Sequence, residues 1–194
     1  MTTHGRSMTV IAAFVGPLLL LATTVAYIVN GQGFSEGEVP GAIQIWAFIL
    51  YGVAIVGLAR LLDIPAPRAA AVITLVAIIG TAGGAAYGID AIGLAVLDGT
   101  IVDSPVAPFA LRIPGLAFPA ALLTLGLLLA RHRCVPITAG YALTFSALLF
   151  PIAHIGDLMG VALVSDVIGI VAMGAIALSL STAANPVAVS PARP

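Results

Sequence analysis

Apolar residues in this chain come in long runs, without the alternation of a half-buried strand or the one-sided stripe of a soluble helix. They fill 10–29, 41–59, 69–88, 111–130, 137–153 and 158–181 almost without a charge. About 20 residues wound at about 1.5 Å each cross the roughly 30 Å hydrocarbon core of a bilayer, and a helix satisfies its own backbone groups there. The pattern predicts an all-α integral membrane protein, one bundle of six transmembrane helices over 1–181. The connections are too short to hold a folded extramembrane domain. The first run is also longer than the roughly 7 to 15 apolar residues of a cleavable signal sequence, so it reads as a span.

Prolines and glycines punctuate the pattern. Pro17 and Pro119 predict bends inside the first and fourth helices. Pro65 and Pro67 break the chain between the second and third, and residues 151–157 hinge the last two runs. Residues 89–97 remain apolar, so they either prolong the third helix beyond the membrane or lie along its surface. Three prolines and no apolar period make 182–194 a disordered cytoplasmic tail. Gly80, Gly84 and Gly88 fall at i, i+4 and i+8, a smooth stripe that lets a second helix backbone approach closely. Packing within the chain is the first expectation for this stripe, ahead of an oligomer interface.

Composition agrees: 61% of residues are hydrophobic and 8% charged, against about 25% charged in ordinary soluble domains. The net charge is −1, and its distribution carries more than its size. All basic residues are Arg. Arg6, Arg60, Arg68, Arg131, Arg133 and Arg193 lie on connections of one side, leaving Arg112 alone with Glu36, Glu38, Asp90, Asp98, Asp103 and Asp157 on the other. The positive-inside rule then puts both termini in the cytoplasm. The expected location is the plasma (inner) membrane of a prokaryote. No basic patch suits nucleic acid, and the single cysteine, Cys134, allows no internal disulfide.

Candidate chemistry gathers at the non-cytoplasmic end, in Asp90, Arg112, His154, Asp157 and Asp166. A charged side chain at the bilayer centre costs at least roughly 2.5 to 3.5 kcal/mol, so Asp166 needs a partner or a task. Arg112 is the expected partner, with Ser165, Thr144 and Ser146 as lesser ones. The plainer reading of the other members is that they are interfacial residues wetted by headgroups and water. A retinal protein needs a Schiff-base lysine, which is missing. His132 and His154 flank the fifth helix at opposite ends, roughly 33 Å apart at 1.5 Å per residue, too far to share one haem iron. No CxxC, HExxH, GxSxG or phosphate-binding glycine loop occurs. The sequence therefore nominates no catalytic, cofactor-binding or metal-binding residue.

These observations give an expected order of functions. A non-enzymatic accessory, regulatory or sensory membrane subunit comes first. A small transporter or channel using Asp166 with Arg112 comes second, and an intramembrane enzyme or cofactor carrier third. The cytoplasmic halves of the helices are nearly all apolar, against a through pore. Expected partners are the lipid bilayer and another membrane protein or a second copy of the chain. A topology reporter fused after Pro194 or inserted at Pro65 should read cytoplasmic, and one at Gly33 or Gly99 external; an external reading at Pro65 overturns the orientation.

Overall fold

The computed structural model describes residues 3–182 apart from Gln32, Ser35 and Asp98. The expected tail from 183 on, Arg193 with it, lies outside the described residues. Those residues form α1 (Thr3–Asn30), α2 (Glu38–Ala59), α3 (Pro67–Leu97), α4 (Ile113–Arg131), α5 (Ile137–Ile155) and α6 (Met159–Thr182). A 3-10 turn, Arg60–Leu62, follows α2, and a π-helical turn, Pro108–Arg112, leads into α4. All six helices are long and apolar enough to cross a membrane, consistent with a multi-pass membrane protein. No strand occurs among the described residues.

The helices depart from the sequence expectation mainly at their ends. α1 starts at Thr3, so the polar lead is wound into the first helix, where the Thr9 hydroxyl donates to the Gly5 carbonyl and Arg6 to Leu180 O of α6. Thr182 is helical and bonds Leu178 O, so the last helix runs one residue into the expected tail. α3 takes in 89–97 and reaches 31 residues, about 46 Å at 1.5 Å each, well beyond one hydrocarbon thickness. Those residues prolong the helix and do not lie flat. The hinge expected over 151–157 falls in the last part of that stretch. α5 continues through Pro151 to Ile155 and closes when Gly156 N–H donates to Ile152 O at 3.1 Å and Leu158 N–H to Ala153 O at 2.7 Å. Asp157 between them takes φ 50°, the left-handed residue of a Schellman turn, which Asp tolerates better than most non-glycine residues.

Each helix packs on its sequence neighbours, and α6 returns to α1, which closes the six into a ring. Glycines make several of these seams close. A Cβ on Gly16 would stand 3.0 Å from Tyr51 N, and one on Gly126 would stand 2.6 Å from Gly140 O. The predicted stripe on α3 is buried inside the chain, but it serves two neighbours. Gly84 and Gly88 face Phe48 and Gly41 of α2, whereas Gly80 and the unpredicted Gly83 face the α4 backbone at Phe118 and at Pro114–Gly115. The two remaining seams, α5/α6 and α6/α1, use side-chain hydrogen bonds.

Aromatic rings fill the middle. Phe118 meets Phe48, Tyr51 and Phe150 edge-on at centroid distances of 4.7, 5.2 and 5.2 Å, the geometry favoured by ring quadrupoles. Towards the arginine-bearing end the core is apolar, with Ile55, Leu58, Leu62, Leu125, Leu129, Met173 and Ile176 all buried.

The glycine contacts order two substitutions. A Cβ on Gly80 would stand 2.2 Å from Phe118 N and 2.5 Å from its Cα, while one on Gly84 meets only the Phe48 ring, at 2.3 Å. A backbone yields less than a ring, so Gly80→Ala should destabilise more than Gly84→Ala. Gly84→Leu should cost roughly 1 to 3 kcal/mol or more. Thermal unfolding in detergent measures all three, and an unchanged midpoint for Gly80→Ala would mean that α3 and α4 do not cross there.

Candidate functional site

Asp166 lies seven residues into α6, so about 10 Å below the start of that helix, and it is 4% exposed. Its Oδ2 accepts a hydrogen bond from the buried Thr24 hydroxyl of α1 at 2.6 Å. Both residues stand at similar depth because α1 and α6 run antiparallel and each is entered about two turns from its acidic-end terminus. Beside them, Ser146 Oγ donates to Ser165 O at 2.9 Å and Ser165 Oγ returns a bond to Ser146 O at 3.0 Å. One turn further along α6, Gly169 leaves a gap where a Cβ would stand 3.1 Å from Ser146 Oγ and 3.2 Å from the Tyr51 hydroxyl. Thr24 of α1 is thus the hydroxyl bonded to the carboxylate, and hydroxyls of α2, α5 and α6 lie at about the same layer of the bundle. Such a layer can hold a proton on Asp166 or supply oxygen ligands to a small cation.

The expected Arg112–Asp166 pair is not formed. Arg112 sits on the π-helical turn before α4, is exposed, and directs Nη2 to Val102 O at 3.4 Å. α4 and α6 share no seam in the ring, so a long side chain on one has no path to the carboxylate on the other. Sequence depth placed the carboxylate one to two turns deeper than Arg112, within reach of its long stem, but carried no information on angular position around the ring.

Asp90 is the second buried carboxylate, 5% exposed. It accepts from the Thr100 hydroxyl at 2.7 Å and from the Ile101 backbone N–H, so it anchors the long connection back onto the C-terminal end of α3. Arg112 holds the same segment from its other side through Val102, and Asp90 and Arg112 thus share a loop. His154 is stacked between Phe34 of the α1–α2 connection and Phe150, at centroid distances of 4.4 and 4.0 Å. Its Nδ1 lies 2.9 Å from Phe150 O. Asp157 is an exposed turn residue whose carboxylate lies against Gly33, about 3.2 Å from where a Cβ would be. The five residues thus divide into three places: the α1/α6 seam, the loop on α3, and the α5–α6 turn beneath the first connection. Among the described residues, no three His, Cys, Asp or Glu side chains form a group that could hold a metal.

Sequence reading missed Thr24, Tyr51, Tyr27 and Phe34. The Tyr27 hydroxyl donates to Gln44 Oε1 at 2.8 Å, and Gln44 Nε2 passes the chain on to Gly84 O at 3.0 Å. Gln44, the one amide in its apolar run, was a signal for this link. Nothing in the sequence distinguishes Thr24 from Thr23, whose hydroxyl merely bonds Leu19 O in its own helix.

A double-mutant cycle separates the observed contact from the expected one. Thr24→Val and Asp166→Leu should couple by about 0.5 to 3 kcal/mol, the range for residues in contact, while Arg112→Leu and Asp166→Leu should add within about 0.5 kcal/mol. Unfolding free energies in one detergent measure both cycles, and coupling in the Arg112 cycle alone would reverse the assignment.

Compared with protein-family models, curated proteins and solved structures, the chain matches none of them, so the functional reading rests on its own geometry.

Proposed function

We propose that the protein is a non-enzymatic accessory, regulatory or sensory subunit of a prokaryotic plasma membrane, both termini cytoplasmic, that does not itself conduct. One observation carries this reading: its buried polar side chains are confined to one half of the bundle. Thr23, Thr24, Asp90, Ser146, Ser165 and Asp166 belong to the half nearer the acidic end; at the other end stand Thr9, its hydroxyl turned to Gly5 O, and the partly buried Arg6, directed to Leu180 O at the helix ends. The opposite half is closed by the packed aliphatic layer around Leu58, Leu125 and Ile176. An ion crossing that layer would shed its hydration with no polar ligand in return, a cost of several kcal/mol or more. Lipid covers the apolar outer faces, and a partner membrane protein or a second copy would bind there too.

A second reading, a small transporter, draws support from the Thr24–Asp166 pair buried below the acidic end, now without Arg112 as a member. Full-length protein in liposomes loaded with a pH-sensitive dye discriminates the two. Under an imposed proton or sodium gradient, flux should equal that of protein-free vesicles. Flux above that level which disappears in Asp166→Asn would replace the accessory reading with the transporter.

A further inference from the structure

At the arginine end, the turn between α4 and α5 closes a groove of about 420 Å³. Leu127, Leu128 and Arg131 of α4 line it, with Arg133 of the turn and Ile137 and Tyr141 of α5. Its wall changes character over about one helical turn. Leu127, Ile137 and Tyr141 are exposed on the lipid-facing side of the span, whereas Arg131 and Arg133 stand exposed at the helix ends. Neither guanidinium has an ion-pair or hydrogen-bond partner among the described residues. Ile137 opens α5, and no side chain caps that helix start, which leaves its first N–H groups and the positive end of its dipole beside the two Arg.

The turn itself is built to present Arg133. Cys134 N–H donates to Leu129 O at 3.0 Å and Arg133 N–H to Ala130 O at 3.1 Å, so the chain reverses through Arg133 at φ 55°. Glycine takes that left-handed conformation freely and a side chain with a Cβ does not. An arginine in the glycine position places a second guanidinium beside the first.

We propose that this groove binds an anionic phospholipid, the phosphate held by Arg131 and Arg133 and an acyl chain lying along Leu127, Ile137 and Tyr141. Guanidinium groups pair with phosphate oxygens through charge-assisted, often bidentate hydrogen bonds. The floor continues from the two Arg along Ile137 to Tyr141, one turn further into α5, so its occupant carries a hydrocarbon chain as well as a charge. The inference rests on the chain being membrane-embedded and is independent of its accessory role.

The test uses the full chain in detergent, titrated with phosphatidylglycerol, phosphatidylcholine or inorganic phosphate. Bound lipid is read by native mass spectrometry and stabilisation by melting temperature. Phosphatidylglycerol should bind and raise the melting temperature, while the other two should not. Arg131→Gln and Arg133→Gly should each weaken the lipid about five-fold, and together about 25-fold, from about 1 kcal/mol per basic residue at an anionic surface. Arg133→Gly suits the left-handed turn, so its lipid-free melting temperature should equal or exceed that of the wild type. Arg68→Gln, at the same end but outside the groove, should keep wild-type affinity. Equal binding of phosphatidylcholine, full affinity in the double variant, an equal loss in Arg68→Gln, or a phosphate effect as large as the lipid's would each overturn the proposal.

Discussion

The ring of helices depends on how α6 is held to α1, because that seam joins helices with no connecting turn. Within a bilayer no hydrophobic force drives one helix onto another, since lipid tails are as apolar as leucine; close packing and interhelical hydrogen bonds must do it. Five seams join sequence neighbours, and the first four of them are drawn tight by glycines such as Gly16, Gly80, Gly84 and Gly126. At α6/α1 the chain uses the Thr24–Asp166 bond towards one end and the Arg6–Leu180 bond at the other. Two polar contacts so far apart fix both the register and the tilt of α1 against α6. The Arg6 contact has its own cost, because Nε of that guanidinium is buried without a partner and leaves a donor unmet.

Local pattern made the fold legible and relative rotation kept the site hidden. Apolar runs and their charged breaks locate every helix, since span length is set by bilayer thickness and needs no partner to be read. Helix ends were less legible: Thr3 to Thr9 has the polarity of a loop yet winds into α1 through contacts with α6 and its own backbone. Asp166 could be found because a carboxylate in an apolar run is conspicuous. Its partner could not, because depth along a helix follows from residue count while azimuth depends on which helix stands next to which. Arg112 was the only cation on its side, and the charge argument favoured it. The ring places α1 beside α6 instead, and a hydroxyl does the work expected of a guanidinium.

The acidic end spends its polar residues on holding connections. Asp90 takes Thr100 and Ile101 onto the last turns of α3, and Asn30 Nδ2 donates to Glu36 O across the first connection. Gly37 N–H reaches Ala91 O at 3.2 Å, tying that connection to the same extension of α3. Phe34 then lies over His154, which lies over Phe150. The long C-terminal extension of α3 therefore serves as a post against which both connections at the acidic end fold.

The two hairpin turns at opposite ends of α5 use the same backbone device with different side chains, and the difference follows the ends they face. Both pass through a non-glycine left-handed residue, Asp157 at one end and Arg133 at the other. Steric cost alone would favour glycine at each position, by roughly 1 to 2 kcal/mol relative to a residue with a Cβ. An acidic residue at the acidic end faces the first connection, where its carboxylate meets Gly33. An arginine at the basic end stands over the groove between α4 and α5. The Cys134 thiol next to it lies 3.6 Å from Leu61 O, and partial burial raises its pKa above the ordinary value, so it joins the two basic-end turns as a neutral group. Arg133 at this end stands on a turn fixed by backbone hydrogen bonds, with the packed aliphatic core behind it.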